Sequence, residues 1–371
     1  MKIIFNTDQI HLHGGIEKVM ATKANYFAAL PEVEVYVVTT EQKNLPPRYA
    51  LDSRIKLVDL GVDYDRTKSY FSIKNLKRAK RHYKKQKALF KSLKPDVIIS
   101  PNFNFDHYWL PFIKGNAKLI KERHSSRYQE EEQRQSASFL KRLKYKLSDW
   151  VERHYNHIVV LNADEAHYVK TGNAVVIPNP IALSHLSADI HSKKVVAAGR
   201  ISPVKNFGDL IKAWVFVKAE FPDWQLDIHG EDYLGTQATL ESQIRENGLE
   251  DVINFKGSSD QMLEDMSKYS IYAMTSETEC FPMVLLEALS IGLPTVSYDC
   301  PNGPRNIIDN GEDGYLVKHH DAESFSMELK SLMRNLSERE RLQKNAKHNV
   351  LRFSCASVMK QWQELLNLPH V

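Results

Sequence analysis

Residues 194–206, KVVAAGRISPVKN, join a short apolar run to a turn that carries two cations, Arg200 and Lys205. A helix-like run, NFGDLIKAWVFVKAEF at 206–221, follows at once. A buried strand, a turn and a helix in this order form the repeating unit of a parallel α/β sheet, whose ligand crevice opens at such turns. The stretch therefore predicts a parallel sheet here, with a multiply charged anion as its ligand.

The same alternation of apolar runs and helix-length stretches extends over the whole chain of 371 residues, which is long enough for two domains. Compact apolar runs are typical of strands buried on both faces, so the fold class is predicted to be α/β with parallel sheets. The predicted strands are KIIFN, VEVYVVTT, DVIISP, AKLIKE and HIVVLN in the first half, and KVVAAG, WQLDIHG, VINFKG, IYAMTS and PTVSYD in the second.

One stretch breaks this alternation. IALSHLSADIHSK, at 181–193, follows a turn-rich PNP and is the predicted linker. The predicted domains are an N-terminal domain, 1–185, and a C-terminal domain, 186–352. The segment 353–371 is predicted to hold a last helix that completes the first domain, because apolar residues recur in it at helical spacing. These residues are Val358, Trp362, Leu365 and Leu366.

Charge and cysteine content narrow the class of protein. Residues 1–180 have 31 Lys and Arg against 19 Asp and Glu, whereas 181–371 have 19 against 27, so a net +12 half joins a net −8 half. This asymmetry indicates two domains with different partners. The cysteines Cys280, Cys300 and Cys355 form no CxxC pair, as expected in a reducing cytoplasm. No signal peptide or membrane-spanning run is expected.

The first loop, TDQIHLHGGIEKV at 7–19, follows the opening strand but has no GxGxxG pattern, which argues against a nicotinamide dinucleotide site. Gly14 and Gly15 stand where a helix is predicted to begin. Their amides are candidates for contacting an anion, and a simple tight turn is the alternative.

The stretch SETECFPMVLLEALSIGLP at 276–294 places Glu279 before a predicted helix that starts near Phe281, and Glu287 within it. The helical rise separates the two carboxylates by about 10 Å or more. That is at or beyond the spacing of acid–base pairs in glycoside hydrolases, and it suits a long ligand held at two points. The alternative is one solvated glutamate and one that is salt-bridged in the core.

GRISPVKN together with ECFPMVLLE resembles the G-R-x(4)-K-N and E-x(7)-E signatures of retaining glycosyltransferase family 4, the group 1 glycosyltransferases. GGIEKV, VVIPNP, IHGED and YDCPNGPRNIIDNGEDGYLV also fit, and the resemblance is densest over 195–317. It implies the GT-B fold, in which two Rossmann-like doubly wound domains face each other across a cleft. A Cys at position 280 departs from the common Gly or Ser, and it bears on which sugar fits.

The resemblance implies that the anion is the diphosphate of a nucleotide sugar. Arg200 and Lys205 then neutralise the diphosphate, Glu287 binds the ribose and Glu279 the donor sugar, and His124 is the catalytic residue of the other domain. The alternative role of Glu231 is to cap the next turn of the chain. The implied catalytic residues are His124, Glu279, Arg200 and Lys205, and the implied donor-binding residues are Gly14, Gly15, Arg200, Lys205, Gly230, Glu231, Glu279, Phe281, Pro282, Met283, Val284 and Glu287.

His124 follows the strand in AKLIKERHSSRY, where similar enzymes have a His or Asn near the donor sugar. It is expected to donate a hydrogen bond or to offer its backbone carbonyl. His107 is a weaker rival, and Arg123 and Arg127 either steer an anionic acceptor or are solvated. No D-x-D motif stands at a strand end, so neither a metal ion nor another cofactor is expected.

From Arg66 to Lys94 the chain has 12 Lys and Arg and no acidic residue, interleaved with aromatic and aliphatic side chains. A basic amphipathic helix of this kind favours an anionic membrane surface. The alternatives are a solvated helix and a nucleic-acid patch, of which the second is not expected.

The resemblance, together with these patterns, implies an enzyme of the hexosyltransferase type, cytoplasmic and peripheral on the inner face of the cell membrane. Its donor is taken to be a UDP-sugar, and its acceptor a glycan or lipid-linked glycan of a bacterial surface polysaccharide or glycolipid. The alternatives are a sugar-nucleotide epimerase or phosphorylase of the same fold, and a non-catalytic nucleotide-sugar or nucleic-acid-binding module.

Overall fold

A computed structural model describes residues 1–101 and 104–369 of the chain. The chain forms two compact units. Unit 1 comprises Met1–Pro180 and Val358–Val371, and unit 2 comprises Ile181–Ser357. These divisions lie five residues from the predicted boundaries after 185 and 352. The last two positions of the predicted segment 353–371 are outside the described residues.

The stretch predicted to be a linker, 181–193, has no helix and only an isolated bridge from Ile181 to Ser354. It is nevertheless not a free connection. The amide of Ala188 donates to the carbonyl oxygen of Ile291, and the amide of Asp189 donates to that of Ser267. Because all of these partners belong to unit 2, the predicted linker is a packed part of that unit.

Unit 1 is built on one seven-stranded sheet. The strands are β1 (Lys2–Asn6), β2 (Glu34–Thr39), β3 (Lys56–Asp59), β4 (Val97–Ser100), β5 (Lys118–Arg123), β6 (His157–Val160) and β7 (Ala174–Val176). Their order is β3-β2-β1-β4-β5-β6-β7, and all neighbours are parallel. The chain runs outward from β1 to β3 and then crosses back to β4, so the direction of winding reverses between β1 and β4, as in Rossmann folds.

The helices of unit 1 are α1 (Gly15–Ala29), α2 (Ile73–Leu93), α3 (Leu110–Ile113), α4 (Tyr128–Gln135), α5 (Phe139–Glu152) and α6 (Ala163–Ala166). The long helix α2 has sequence signals at both ends. The side chain of Ser72 accepts a hydrogen bond from the amide of Asn75 at its start, and Lys94 ends it in the left-handed conformation with φ 48°.

Unit 2 repeats this arrangement with six strands. They are β8 (Lys194–Ala198), β9 (Gln225–His229), β10 (Ile253–Gly257), β11 (Ile271–Met274), β12 (Thr295–Asp299) and β13 (Tyr315–Lys318). Their order is β10-β9-β8-β11-β12-β13, again with parallel neighbours. The winding reverses between β8 and β11. The predicted fold class of two doubly wound parallel α/β domains is therefore confirmed.

The helices of unit 2 are α7 (Phe207–Lys218), α8 (Thr236–Glu246), α9 (Met262–Met266), α10 (Met283–Ser290), α11 (Ala322–Arg334) and α12 (Leu336–Asn349). The last helix within the described residues is α13 (Cys355–Leu366), most of which belongs to unit 1. In α7, Trp214 is fully buried among the core side chains of the sheet. In α13, Val358, Trp362 and Leu366 are buried as predicted, whereas Leu365 is half-buried.

Of the thirteen strands in the described part of the chain, ten coincide with predicted apolar runs, and β3, β7 and β13 were missed. The three missed strands have only three or four residues, and all three lie at the edge of a sheet. β3 and β7 are the two edge strands of the sheet in unit 1, and β13 is one edge strand of the sheet in unit 2. An edge strand has a neighbour on one side only and stays partly exposed, so its sequence is not a compact apolar run. This explains why hydrophobicity alone did not reveal them.

Candidate functional site

The loops that follow β8 and β11 lie side by side where the winding of unit 2 reverses, which is where open α/β sheets bind their ligands. The first loop contains Arg200 and Lys205, and the second contains Glu279. Backbone hydrogen bonds tie the loops together, because the amide of Glu277 donates to the carbonyl oxygen of Val204 at 2.8 Å. The structure therefore brings the predicted cations and the first predicted glutamate into one site.

Two glycines allow the chain to pass closely at the ends of β8 and β9. A Cβ atom on Gly230 would lie 2.0 Å from the carbonyl oxygen of Gly199, a backbone atom that has no room to move away. A Cβ atom on Gly199 would lie 2.9 Å from Cε of Lys205. The absence of a side chain at 199 lets the stem of Lys205 cross the loop. Gly230 thus has a structural reason for its position.

Lys205 and Glu279 form an ion pair, with 2.6 Å between Nζ and Oε1. Both side chains are mostly buried, with exposed fractions of 21% and 13%. The hydroxyl of Thr275 donates to the carbonyl oxygen of Asn206 at 3.0 Å and so fixes the end of the loop that carries the lysine. The cation is held in place by a carboxylate that an anionic ligand could displace.

Arg200 is exposed, and its guanidinium lies over the ring of Tyr233 at 5.0 Å. No carboxylate within the described ranges forms an ion pair with it. A planar cation stacked on an aromatic face is oriented but not neutralised. It is thus available to an incoming anion, and Tyr233 is a supporting residue that the sequence did not reveal.

The helix α10 begins at Met283, two residues later than predicted, because Pro282 is its N-cap. Its first-turn amides, including those of Met283 and Val284, have no intrahelical acceptor. The ring of Phe281 is buried and packs edge-on against Phe353 with 5.4 Å between centroids. The side chain of Phe281 is therefore a packing residue, whereas the end of α10 remains a candidate for phosphate binding.

Glu287 is half-buried in α10. Tyr272 of β11 is fully buried, and this burial raises the pKa of its hydroxyl well above the usual value. The nearby negative charges of Glu279 and Glu287 raise that pKa further. The two glutamates thus lie in the neighbourhood of one central strand. The two-point grip of a long ligand stays a prediction.

The loop after β12 borders the same site. Asn302, with φ 71°, bridges to Glu279, and a Cβ atom on Gly303 would lie 2.6 Å from Cβ of Glu279. Burial and the nearby Glu279 carboxylate raise the pKa of Cys300 to about 12, so its thiol stays protonated. Cys280 is also buried. These residues form the wall beside Glu279.

Glu231 is exposed, and its carbonyl oxygen accepts a hydrogen bond from the amide of Ile201 at 2.9 Å. It does not cap the next turn, because that hydrogen bond is made by Asp232, whose carboxylate accepts from the amide of Gln237 at 2.9 Å. The alternative role considered for Glu231 was therefore wrong. The backbone of Glu231 lies beside the loop that carries Arg200.

In unit 1, Gly14 is the N-cap of α1 and Gly15 is its first residue, as predicted. The carboxylate of Glu17 already covers this helix end, since a Cβ atom on Gly14 would lie 2.2 Å from Oε2 of Glu17. Nε2 of Gln9 donates to Oε1 of Glu17 at 2.7 Å and holds it there. An anion that binds these amides has to displace Glu17.

His124 follows β5 directly, as predicted, and its side chain is only 5% exposed. Its Nε2 lies 3.1 Å from Oε2 of Glu122, and Glu122 also forms a buried ion pair with Lys23 of α1. Burial alone would raise the pKa of Glu122, but Lys23 and His124 outweigh it and lower that pKa to about 2. Nζ of Lys23 lies over the ring of Trp362 at 4.7 Å. His124 is thus held by a chain of buried partners.

His107 and the two arginines near His124 have structural partners. Burial and the nearby Lys121 lower the pKa of His107 to about 2, so its ring is neutral, and its Nδ1 lies 2.9 Å from Nζ of Lys121. Arg123 and Arg127 both form ion pairs with the buried Glu152. They are neither solvated nor free to steer an acceptor, so both of the alternatives given for them were wrong.

One group of side chains was missed altogether. Glu277, His319 and His320 present one potential metal-binding atom each, and these atoms all lie within 4.8 Å of one another. The signal in the sequence is the pair of adjacent histidines directly after a strand, but β13 itself was not predicted. Without that strand, nothing indicated that the pair lies at the same sheet edge as Glu277.

The fold and the site define the class of protein. The sequence profile of the group 1 glycosyl transferases matches residues 186–349, and that of glycosyltransferase family 4 matches residues 13–185. The chain therefore belongs to glycosyltransferase family 4 and has the GT-B fold.

Curated bacterial proteins match parts of the chain. The chain is 30% identical over 222 residues to the amylovoran biosynthesis glycosyltransferase AmsD of Erwinia amylovora. This alignment covers 57% of this chain and 62% of AmsD. The chain is also 34% identical over 180 residues to an exopolysaccharide phosphotransferase of Streptomyces coelicolor, and this alignment covers 48% of the chain and 19% of that protein. In both cases the match spans less than two thirds of the relative's own length.

Solved structures show the same fold at low sequence identity. HepE of Anabaena, in complex with UDP and glucose, has a TM-score of 0.75 at 18% identity, and the alignment covers 99% of both chains. A mutant of TarM of S. aureus, in complex with Fondaparinux, alpha-GlcNAc-glycerol and UDP, has a TM-score of 0.75 at 15% identity with the same coverage.

Proposed function

We propose that this group 1 glycosyltransferase moves a sugar, with retention of configuration, from a UDP-sugar to a glycan or lipid-linked acceptor of a bacterial surface polysaccharide or glycolipid. The observation that carries the proposal is the meeting of Lys205, Arg200, Glu279 and the start of α10 where the winding of unit 2 reverses. The binding of UDP by the similarly folded HepE and TarM supports a UDP-linked donor.

In this proposal the diphosphate displaces Glu279 from Lys205 and takes its place as the partner of that cation. Arg200, which has no acidic partner among the described residues, contributes a second positive charge, and the free amides of α10 face the same phosphates. As the bond between sugar and diphosphate stretches, negative charge grows on the leaving oxygen. Preorganised cations stabilise that charge more than they stabilise the bound donor, and this difference accelerates the reaction.

The released Glu279 carboxylate is then positioned to accept hydrogen bonds from the donor sugar, and Glu287 from the ribose hydroxyls. His124 contributes a hydrogen bond or its backbone carbonyl near the sugar. Its Nε2 is occupied by Glu122, so Nδ1 is the ring atom that is left for a ligand. The acceptor hydroxyl attacks from the face that the diphosphate leaves, and a phosphate oxygen takes the proton.

The donor proposal is tested by measuring thermal stabilisation with a panel of nucleotide sugars in the presence of EDTA, since the cations of the site replace a metal ion. A donor present at 100 times its dissociation constant contributes about 2.7 kcal/mol. We expect one UDP-sugar to raise the melting temperature clearly. A donor that binds only after Mg²⁺ or Mn²⁺ is added would contradict metal-independent binding.

The alternatives are separated by the reaction itself. A transferase releases the nucleoside diphosphate when a glycan acceptor is present. An epimerase instead converts one nucleotide sugar into another, with no net release of the nucleoside diphosphate. A non-catalytic module binds the donor and changes nothing. We expect release of UDP together with a product that carries the sugar on the acceptor, and this is followed by chromatography of both species.

We further propose that the enzyme works in the cytoplasm as a peripheral protein on the inner face of the cell membrane. Among the described residues, no helix has both the length and the apolar character that crossing a bilayer requires. The predicted membrane contact, 66–94, is partly engaged in the fold. Arg66 pairs with Asp8 and Glu41, and Lys85 donates to the carbonyl oxygen of Leu60.

The helix α5 offers a more apolar surface than α2. Phe139 and Leu140 are 80% and 75% exposed, and the exposed apolar residues fall within about 100° of the helix circumference. They are Phe139, Leu140, Leu143, Leu147 and Trp150. Lys144 and Lys146 flank this face and are exposed. An apolar face bordered by lysines is complementary to an anionic bilayer.

The membrane proposal predicts that the enzyme sediments with vesicles of phosphatidylglycerol but not with vesicles of phosphatidylcholine. The attraction to lipid charge is screened beyond about 10 Å at 0.1 M salt, so binding should weaken steeply as salt rises. Changing Leu140, Leu143 and Leu147 of α5 to Gln should remove binding at every salt concentration. Changing Lys77, Lys80 and Lys84 of α2 to Gln should reduce it at low salt only.

If the enzyme ignores anionic vesicles at low salt, both helices are merely solvated and the proposal is wrong. Preferential binding of RNA over vesicles would instead favour the nucleic-acid alternative. Transfer to a short soluble acceptor serves as the control, because the donor-binding loops lie in unit 2 and should work equally well in all of these variants.

A further inference from the structure

A group of three side chains in unit 2 lies outside the predicted donor-binding residues. Glu277 follows β11, whereas His319 and His320 follow β13, which is two strands away in the same sheet. Because the carboxyl ends of parallel strands open at one edge, the three side chains meet there. The sheet therefore places two imidazoles and a carboxylate around one point.

The nitrogen atoms of both histidines lie close to one carboxylate oxygen of Glu277. Nε2 of His320 lies 3.2 Å from Oε2 of Glu277, and Nε2 of His319 lies 3.7 Å from the same oxygen. The two imidazole rings are stacked, with 3.8 Å between their centroids. Four-coordinate ions hold N and O ligands at about 2.0–2.2 Å, so donors around one ion stand roughly 3.3 Å apart. The three donor atoms all lie within 4.8 Å of one another, which approaches this separation.

The side chains of consecutive residues normally point in different directions. At His320 an unusual backbone conformation changes the direction of the side chain. His320 has φ 64°, the left-handed conformation, which is costly for a residue with a side chain. This conformation lets both imidazoles face Glu277. Backbone strain of this kind gathers at functional sites, where the surrounding structure enforces it.

His319 provides the observation that points to a ligand. Its Nε2 is buried and has no hydrogen-bond partner among the described residues. A buried ring nitrogen without a partner is rare in folded proteins, and an unseen ion or water is a usual explanation.

His320 has the arrangement of a metal ligand supported from behind. While Nε2 faces Glu277, its Nδ1 lies 3.4 Å from Oδ2 of Asp209 in α7. Histidines that bind metals through one nitrogen commonly donate the other N–H to a carboxylate, which fixes the tautomer. Asp209 is itself held by Lys212, with 2.7 Å between Nζ and Oδ1.

We propose that Glu277, His319 and His320 bind one divalent transition-metal ion, with Zn²⁺ the best match for two imidazoles and one carboxylate. Asp209 is the positioning residue for His320, and water completes the coordination. A surface depression of about 640 Å³ is lined in part by the two histidines. The bound ion ties the loop after β11 to the turn after β13. Glu279 lies two residues from Glu277, so the ion steadies the loop that carries it.

The test uses the full-length chain without a histidine tag, stripped with EDTA and then freed of chelator. Isothermal titration with ZnCl₂ is expected to show one ion per chain and a higher melting temperature. His319→Ala and His320→Ala should each weaken Zn²⁺ binding at least tenfold, and Asp209→Asn by about 10–100-fold. The matched control is His348→Ala, since His348 is exposed on α12 of the same unit.

The proposal is overturned if the wild-type chain takes up no stoichiometric Zn²⁺, or if His319→Ala and His320→Ala bind it as tightly as His348→Ala does. Either result would leave Glu277 and His320 as a simple ion pair. The melting temperatures of the metal-free variants show whether each is folded. Because the readout is Zn²⁺ binding, the result does not depend on the donor proposal.

Discussion

Replacing Lys205 with Ala is expected to reduce the rate of sugar transfer by about 10²–10³-fold, which corresponds to about 2.7–4 kcal/mol of lost transition-state stabilisation. The reason is the position of its ammonium group, which is mostly buried and points at the place where the leaving diphosphate is proposed to gain charge. The variant also leaves the Glu279 carboxylate without its 2.6 Å partner. Initial rates with a saturating donor provide the measurement.

The matched control is Lys268→Ala. Lys268 belongs to the same unit, is 68% exposed and forms a surface pair with Asp265, so its removal should leave the rate within a factor of about two. Arg200→Ala should lower the rate in the same direction as Lys205→Ala, because Arg200 is the second cation of the loop. Near-native transfer by both Arg200→Ala and Lys205→Ala would exclude the proposed diphosphate site.

The second large effect concerns the stability of unit 1. Glu152, which is 1% exposed in its side chain, accepts from Arg127 at 3.1 Å, forms an ion pair with Arg123 and lies 3.6 Å from Nζ of Lys121. Glu152→Gln removes the negative charge that these three cations share. Breaking a buried ion pair by removing one partner typically costs about 3–5 kcal/mol, and we expect a loss of that size in the free energy of unfolding.

Urea unfolding followed by circular dichroism measures this loss. Glu131→Gln is the control, because Glu131 is 30% exposed and its pair with Lys170 lies at the surface. Surface pairs contribute about 0–1 kcal/mol, so the control should unfold almost like the wild type. Equal midpoints for Glu152→Gln and the wild type would show that the cations are neutralised in another way.

The fold could be predicted because buried parallel strands have a strong sequence pattern. The runs around β1, β4, β8 and β11 are continuous apolar stretches, and their alternation with helices leaves few possible topologies. β13 was missed because it is a partly exposed edge strand of four residues. Local pattern therefore identified the centres of the sheets and missed their edges.

The site could be predicted only where its residues are close in the sequence. The loop with Lys205 and the stretch with Glu279 and Glu287 have their own signatures, so each was identified. The contact between Lys205 and Glu279 joins residues 74 positions apart, and no spacing rule predicts it. Burial was equally invisible, which is why Arg123 was expected to be available and is instead paired with Glu152.

The central claim is that the nucleoside diphosphate binds where the winding of unit 2 reverses. Amide hydrogen exchange measured with and without UDP, in the presence of EDTA, tests it most directly. We predict slower exchange in peptides covering 199–206 and 276–287 when UDP is bound, with little change in peptides of β4 and β5 in unit 1. Unchanged exchange in both of those stretches at saturating UDP, or protection confined to unit 1, would contradict the claim.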